Sequence, residues 1–254
     1  MFSGENAERR GVSPTEPRDG QPRNATRDRG AEHGDLGRVL WAVDGRLRAR
    51  GRPGYGERMR LEAVREQLSG YRAADETEAS YVARMIALTV AAPAAACDRS
   101  HFTPGHFTAS AFVLSPDRRD LILIHHKKLG IWVQPGGHVE ATDADLASAA
   151  RREVAEEVGL GELDSFAKDD VLFDVDIHTI PARKSEPAHE HFDARFAFVA
   201  RTRDFARTEE VADVRWVPLE QLSEVTADES VLRAARKLLA ADRLGADRNV
   251  VDVH

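Results

Sequence analysis

Cys97 is the only cysteine in 254 residues, so no disulfide can close within the chain, and nothing in its cysteine usage points to secretion. The N-terminus has no apolar signal core, and no apolar run approaches the length needed to span a membrane. These absences predict a soluble, cytoplasmic protein. Positive charge is also in deficit, with a formal net charge of -7. That excludes a broad basic surface for duplex nucleic acid and suits a small substrate whose phosphates are met through a cation. There is no Walker loop, no GxGxxG after a strand and no serine elbow. Residues 1–33 have scarcely any apolar side chains and predict a disordered tail.

What is present centres on Gly136 to Leu160, GGHVEATDADLASAARREVAEEVGL. Its second half sets Glu153, Glu156 and Glu157 at i, i+3 and i+4, so a helix projects all three carboxylates from one face. Such a cluster is tolerated when a cation neutralises it, and oxygen ligands suit a hard ion such as Mg2+ or Mn2+. Leu146, Ala150, Val154 and Val158 form the opposite face, which can pack on a sheet. Thr142 or Asp143 can cap the start of the helix and Gly159 its end. Pro135-Gly136-Gly137 makes a loop where bare backbone can approach a ligand.

The run Arg152-Glu153-Val154-Ala155-Glu156-Glu157-Val158-Gly159-Leu160 resembles the second half of the Nudix box at every fixed position. The first half departs from that pattern. Asp143 stands where the family has its upstream Glu, and eight residues instead of seven separate it from Arg152. The resemblance implies an α+β fold, a Nudix-type α/β/α sandwich with a mixed sheet. It further implies that Glu153, Glu156 and Glu157 ligate Mg2+ or Mn2+ with help from the Gly137 carbonyl. Arg152 would hold one carboxylate by ion pairing, and Glu156 or Glu157 could instead take a proton from the attacking water.

The resemblance extends over about 105 to 240. Strands are predicted at 107–114, 121–124, 131–134, 171–177, 191–199 and 214–217, with a terminal helix from Glu229 to Leu239. Before them, stripes at Leu36/Val39/Leu40/Val43/Leu47, at Leu61/Val64/Leu68 and at Tyr81/Met85/Ile86/Leu88 predict three helices. These could pack on the core or across a homodimer interface. The expected organisation is a tail over 1–33, a helical N-terminal region over 34–100, a Nudix hydrolase domain over 101–243 and a loose tail over 244–254.

A second constellation is His189-x-His191-x-Asp193-x-Arg195. Strand alternation sends these four to one face and Phe192, Ala194, Phe196 and Phe198 to the other. The polar face can be a merely solvated surface or part of a substrate cleft. His-x-His can bind a transition metal, and Asp193 can serve as an extra ligand or a general base. Trp132 can stack on a base or pack in the core. Gln134 shares its strand, and His138 follows the glycine loop. His125, His126, Lys127 and Lys128 form a basic strand end.

The resemblance implies a metal-dependent pyrophosphohydrolase that cleaves the diphosphate bond of a nucleoside diphosphate linked to another moiety, with water as nucleophile. The expected partner is a small-molecule diphosphate, with no membrane and no duplex nucleic acid. Two alternatives share the fold: a prenyl-diphosphate isomerase, and a ligand-sensing or scaffold module without turnover.

Overall fold

Two long strands with aromatic and small residues on alternate positions, β3 (Gly105–Leu114) and β9 (His189–Ala200), lie side by side in parallel. In this computed structural model, which describes residues 39–43, 46–50, 55–93, 95–127, 129–167, 169–183 and 185–251, they form the centre of an eight-stranded mixed sheet. Its path runs β10 (Asp213–Pro218), β4 (Asp120–His125), β3, β9, β7 (Leu163–Ser165). β5 (Trp132–Val133) pairs with β4, β6 (Gly136–His138) with β3, and β8 (Asp174–Ile180) with β9. Every pairing in this sheet except β3 with β9 is antiparallel.

The alternation gives the sheet two apolar faces, and each is covered by a helix. Phe107, Ala109, Ala111 and Val113 of β3 join Phe192, Ala194, Phe196 and Phe198 of β9 beneath α3 (Leu146–Val158). On the other face Phe112, Leu114, Ala197 and Val199 pack against Val231, Ala235 and Leu238 of α5 (Glu229–Val251). A short helix, α4 (Leu222–Val225), precedes α5. The result is the expected α/β/α sandwich around a mixed sheet.

Two helices precede the sheet, α1 (Tyr55–Gly70) and α2 (Glu76–Ala91). Leu61, Val64, Leu68, Met85 and Leu88 belong to the same buried cluster as α3, so this helical part shares the domain's core. A network of buried charge ties it down further. Glu78 of α2 is wholly buried. It accepts from Lys237 Nζ at 2.9 Å and from the Tyr71 hydroxyl at 2.9 Å. Lys237 also donates to Asp174 at 3.0 Å, and Arg233 pairs with Asp174 at 2.7 Å. Burial, followed by the charges of Asp174 and Glu78, pushes the Tyr71 hydroxyl well above the ordinary phenol range.

Several elements differ from the sequence expectation, among them the short strands β6 and β7, where none was expected. The first stripe forms a two-stranded hairpin instead of a helix, β1 (Val39–Val43) with β2 (Arg46–Arg50), in a register that pairs Val43 with Arg46. Short apolar runs fit either period, and the Asp44-Gly45 dipeptide between these two is a strong hairpin signal. α5 continues through Gly245 to Val251. One glycine costs a helix only about 1 kcal/mol and need not end it. β8 begins at Asp174, three residues after the predicted start. The tail predicted over 1–33, together with Leu36 and Lys128, lies outside the described residues.

Gly159 caps α3 as expected, in the left-handed region with φ of 71°. A Cβ added there would lie 2.8 Å from Ala206 Cβ. Both effects make Gly159→Ala unfavourable, by about 1–2 kcal/mol. Urea unfolding of the full chain checks this.

Candidate active site

α3 starts later than its sequence suggests, at Leu146. The cap is Asp145, whose side chain accepts from Ser148 N–H at 2.7 Å while the Ser148 hydroxyl accepts from Asp145 N–H at 2.9 Å. Neither Thr142 nor Asp143 caps the helix. Asp143 turns inward, is buried, and holds Arg152 through two hydrogen bonds, from Nε at 3.0 Å and from Nη2 at 3.1 Å.

Arg152 is the hub of the loop and helix. Besides Asp143 it donates to Glu153 at 2.9 Å, to Glu156 at 2.7 Å and to the His138 carbonyl at 2.8 Å. Its hydrogen bonds to Asp143, ahead of the charge of Glu153, hold its guanidinium well above the ordinary arginine value. Removing Asp143 frees two of these donors and the orientation they impose. Asp143→Ala should weaken Mn2+ binding by roughly tenfold to a hundredfold, as calorimetric titration would report.

The glutamates differ sharply in environment. Glu156 is exposed, Glu153 is largely buried, and Glu157 is buried, accepting from Gly136 N–H at 3.0 Å. Burial, only partly offset by that hydrogen bond and reinforced by the charges of Glu153, Glu210 and Glu156, pushes the Glu157 carboxyl up to about 8. Glu153 is also raised, by burial first, against the lowering effect of Arg152. Gly137 sits against Glu153 so closely that a Cβ would meet its carboxylate at 2.7 Å.

Glu210 has no sequence signal that ties it to α3. The segment after β9 brings it near, with Ala206 N–H donating to Val158 O and Thr208 Oγ1 to Glu157 O. Carboxylates gathered at one end of a glycine loop, one of them buried with no ion pair among the described residues, fit a hard divalent cation. Arg152 holds Glu153 and Glu156, and Gly136 N–H holds Glu157.

On the α5 side of the sheet, beyond the helix, the apolar face of β3 and β9 turns polar. The parallel register sets His106 beside His191, Thr108 beside Asp193 and Ser110 beside Arg195. Asp193 accepts from Thr108 at 3.0 Å, from Ser110 at 2.7 Å and from Arg195 Nε at 2.8 Å. Three donors commit this carboxylate to structure and leave a general-base role without support. Arg195 runs on to Asp176 at 3.1 Å and Asp174 at 3.5 Å. The face is therefore a buried polar network, not a solvated surface.

A cavity of about 440 Å3 opens over this network and reaches the loop at Gly136 and Gly137. Gln134, His191, Asp193 and Arg195 line it, and Gln134 donates to Ser110 at 3.2 Å. Trp132 is elsewhere. Its strand ends at Val133, and its ring packs on the α5-side core with the Arg215 guanidinium 4.6 Å from its centre. His189 and His191 meet His106, which the sequence reading did not single out. The signal was hidden because their proximity depends on strand pairing across more than eighty residues. Burial, then the neighbouring imidazoles His178, His106, His138 and His189, drives the His191 ring down to about 2.

Residues 104–240 match the family model described as NUDIX domain. The chain belongs to that family. Among solved structures, a NUDIX-family hydrolase from Clostridium perfringens shares 24% identity over 54% of this chain and 97% of its own, with a TM-score of 0.42. RenU, a Nudix hydrolase from M. smegmatis, shares 17% over 55% of this chain and 86% of its own, with a TM-score of 0.41. The NUDIX domain of Shewanella oneidensis NrtR, complexed with ADP ribose, shares 18% over 54% of this chain and 87% of its own, with a TM-score of 0.37. No curated protein matches. No helix among the described residues is long and apolar enough to cross a membrane.

Proposed function

We propose that this protein is a metal-dependent hydrolase that cleaves the diphosphate bond of a nucleoside diphosphate linked to another moiety. The observation that carries the reading is Glu157, buried beside Glu153 at the glycine loop with its carboxyl pushed up to about 8. A buried, charge-crowded carboxylate without a cationic partner is unfavourable in the free protein and is relieved by a bound cation.

Glu153, Glu156 and Glu157 would hold Mg2+ or Mn2+, with the Gly137 carbonyl as a further oxygen. When bound, the ion supplies charge neutralisation at the phosphoryl oxygens and acidifies water. The chain's own residues do the positioning. Arg152 fixes the directions of Glu153 and Glu156 through the bonds already given. The small backbone at Gly137 lets Glu153 lie against the loop. The cavity bordered by Gln134 and Arg195 receives the organic part of the substrate, beside the same loop.

The test is a phosphate-release screen over nucleotide sugars, ADP-ribose, dinucleoside polyphosphates and nucleoside triphosphates, with a phosphatase added where products are monoesters. One group should be turned over with Mg2+ or Mn2+, and EDTA should abolish that activity. Turnover that survives EDTA, or none of any group, would overturn the reading.

A further inference from the structure

The histidines at the start of β3 and β9 lie apart from the carboxylates of α3, and the diphosphate reading makes no use of them. His106, His189 and His191 each bring one potential ligand nitrogen to within 4.8 Å of the other two. Among the described residues this is the one group of three or more His, Cys, Asp or Glu so gathered. The ring centres form a nearly equilateral triangle, 5.1 Å from His106 to His189, 4.9 Å from His106 to His191 and 5.2 Å from His189 to His191.

That size is informative. A tetrahedral ion with Zn–N bonds of about 2.0–2.1 Å, and about 1.15 Å from nitrogen to ring centre, sets three imidazole centres about 5.2 Å apart. The ring centres already stand at that separation.

Two of the rings are also in the required tautomer. A carbonyl only accepts, so His106 Nδ1–H donates to His101 O at 3.1 Å and His189 Nδ1–H donates to Pro187 O at 2.9 Å. Each therefore carries its lone pair on Nε2, the arrangement that orients a metal-ligating histidine. His106 is wholly buried, and its Nε2 has no hydrogen-bond partner. An unpaired acceptor at such depth calls for an explanation. Nearby Asp193 is occupied by Thr108, Ser110 and Arg195, which leaves nitrogen as the available donor type.

We propose that His106, His189 and His191 form a zinc site, separate from the carboxylates of α3, with a fourth coordination position toward the cavity that His191 lines. Three imidazoles with no carboxylate suit Zn2+ over Mg2+. Three protein ligands plus one open position is the pattern of a zinc site that can take water or a ligand oxygen. The His138 ring, 5.2 Å from both His106 and His191, stands beside that position.

The experiment uses the full chain stripped of metal and titrated with Zn2+ against a chromophoric chelator, in excess Mg2+ to saturate the carboxylates. One tight equivalent is expected. His106→Asn and His191→Asn should each weaken it by about a hundredfold or more, whereas Glu156→Gln should leave it unchanged. Co2+ added to the wild-type chain should give the intense visible absorption of a tetrahedral nitrogen-ligated ion, a readout that does not depend on the variants folding. The proposal is overturned if wild type takes up no tight equivalent, if the equivalent is lost in Glu156→Gln and kept in the histidine variants, or if Co2+ shows only the weak octahedral spectrum. Diphosphate hydrolysis is not the readout, so failure here is distinguishable from failure of the hydrolase reading.

Discussion

Glu157→Gln should lower diphosphate hydrolysis by about a hundredfold or more and at the same time make the metal-free protein more stable. Loss of activity follows from removing a charged ligand for the cation that neutralises phosphate. The gain in stability follows from the carboxyl's position. Glu157 is buried and faces Glu153, Glu156 and Glu210, and its folded-state value of about 8 lies well above the ordinary glutamate value of 4.5. An acid raised on folding has no linked cost below its unfolded value. The cost grows as pH rises from there and is complete above the folded value. Glutamine, which can still accept from Gly136 N–H, removes it. The variant should therefore match wild type in thermal unfolding near pH 4 and exceed it by on the order of 3 kcal/mol at pH 8 and above. Adding Mn2+ should raise the wild-type Tm and narrow the gap. A variant less stable than wild type at pH 8 would count against the assignment of Glu157.

Glu78→Ala should be the most destabilising single change in the helical part. It removes the acceptor shared by Lys237, Tyr71 and Ala74 N–H, leaving Lys237 without one of its two carboxylate partners. Breaking a buried pair from one side typically costs about 3–5 kcal/mol. Lys237→Met alone should also be costly. The double variant should be clearly less destabilised than the sum of the two, because each single change strands the other's charge. Urea unfolding of the four proteins measures the coupling. Strict additivity would mean that the network contributes nothing as a unit.

The readable part of the molecule was the part governed by short-range periods. Leu146, Ala150, Val154 and Val158 recur at helical spacing, and all four are buried as that spacing requires. Phe192, Ala194, Phe196 and Phe198 alternate and share one core face. The hidden part depended on pairing across the sheet. Nothing near Asp193 in sequence announces that Thr108 and Ser110 will occupy its oxygens, since only the parallel register of β3 and β9 brings them there. His106 is obscured for the same reason. The β1–β2 hairpin was misread because its few apolar residues fit a helical stripe as well as an alternating one. Of the two readings open to Trp132, stacking on a base or packing in the core, the structure shows packing against the α5-side core.

The partners of Glu78 also impose an order of events on synthesis. Lys237 lies 159 residues further along the chain, so at about 5–20 residues per second it is made roughly 8–30 s after α2. Through that interval Glu78 has no buried counterion and α2 has every reason to keep it in water. The earliest helical part of the domain thus gains its counterion only from the last helix to be made.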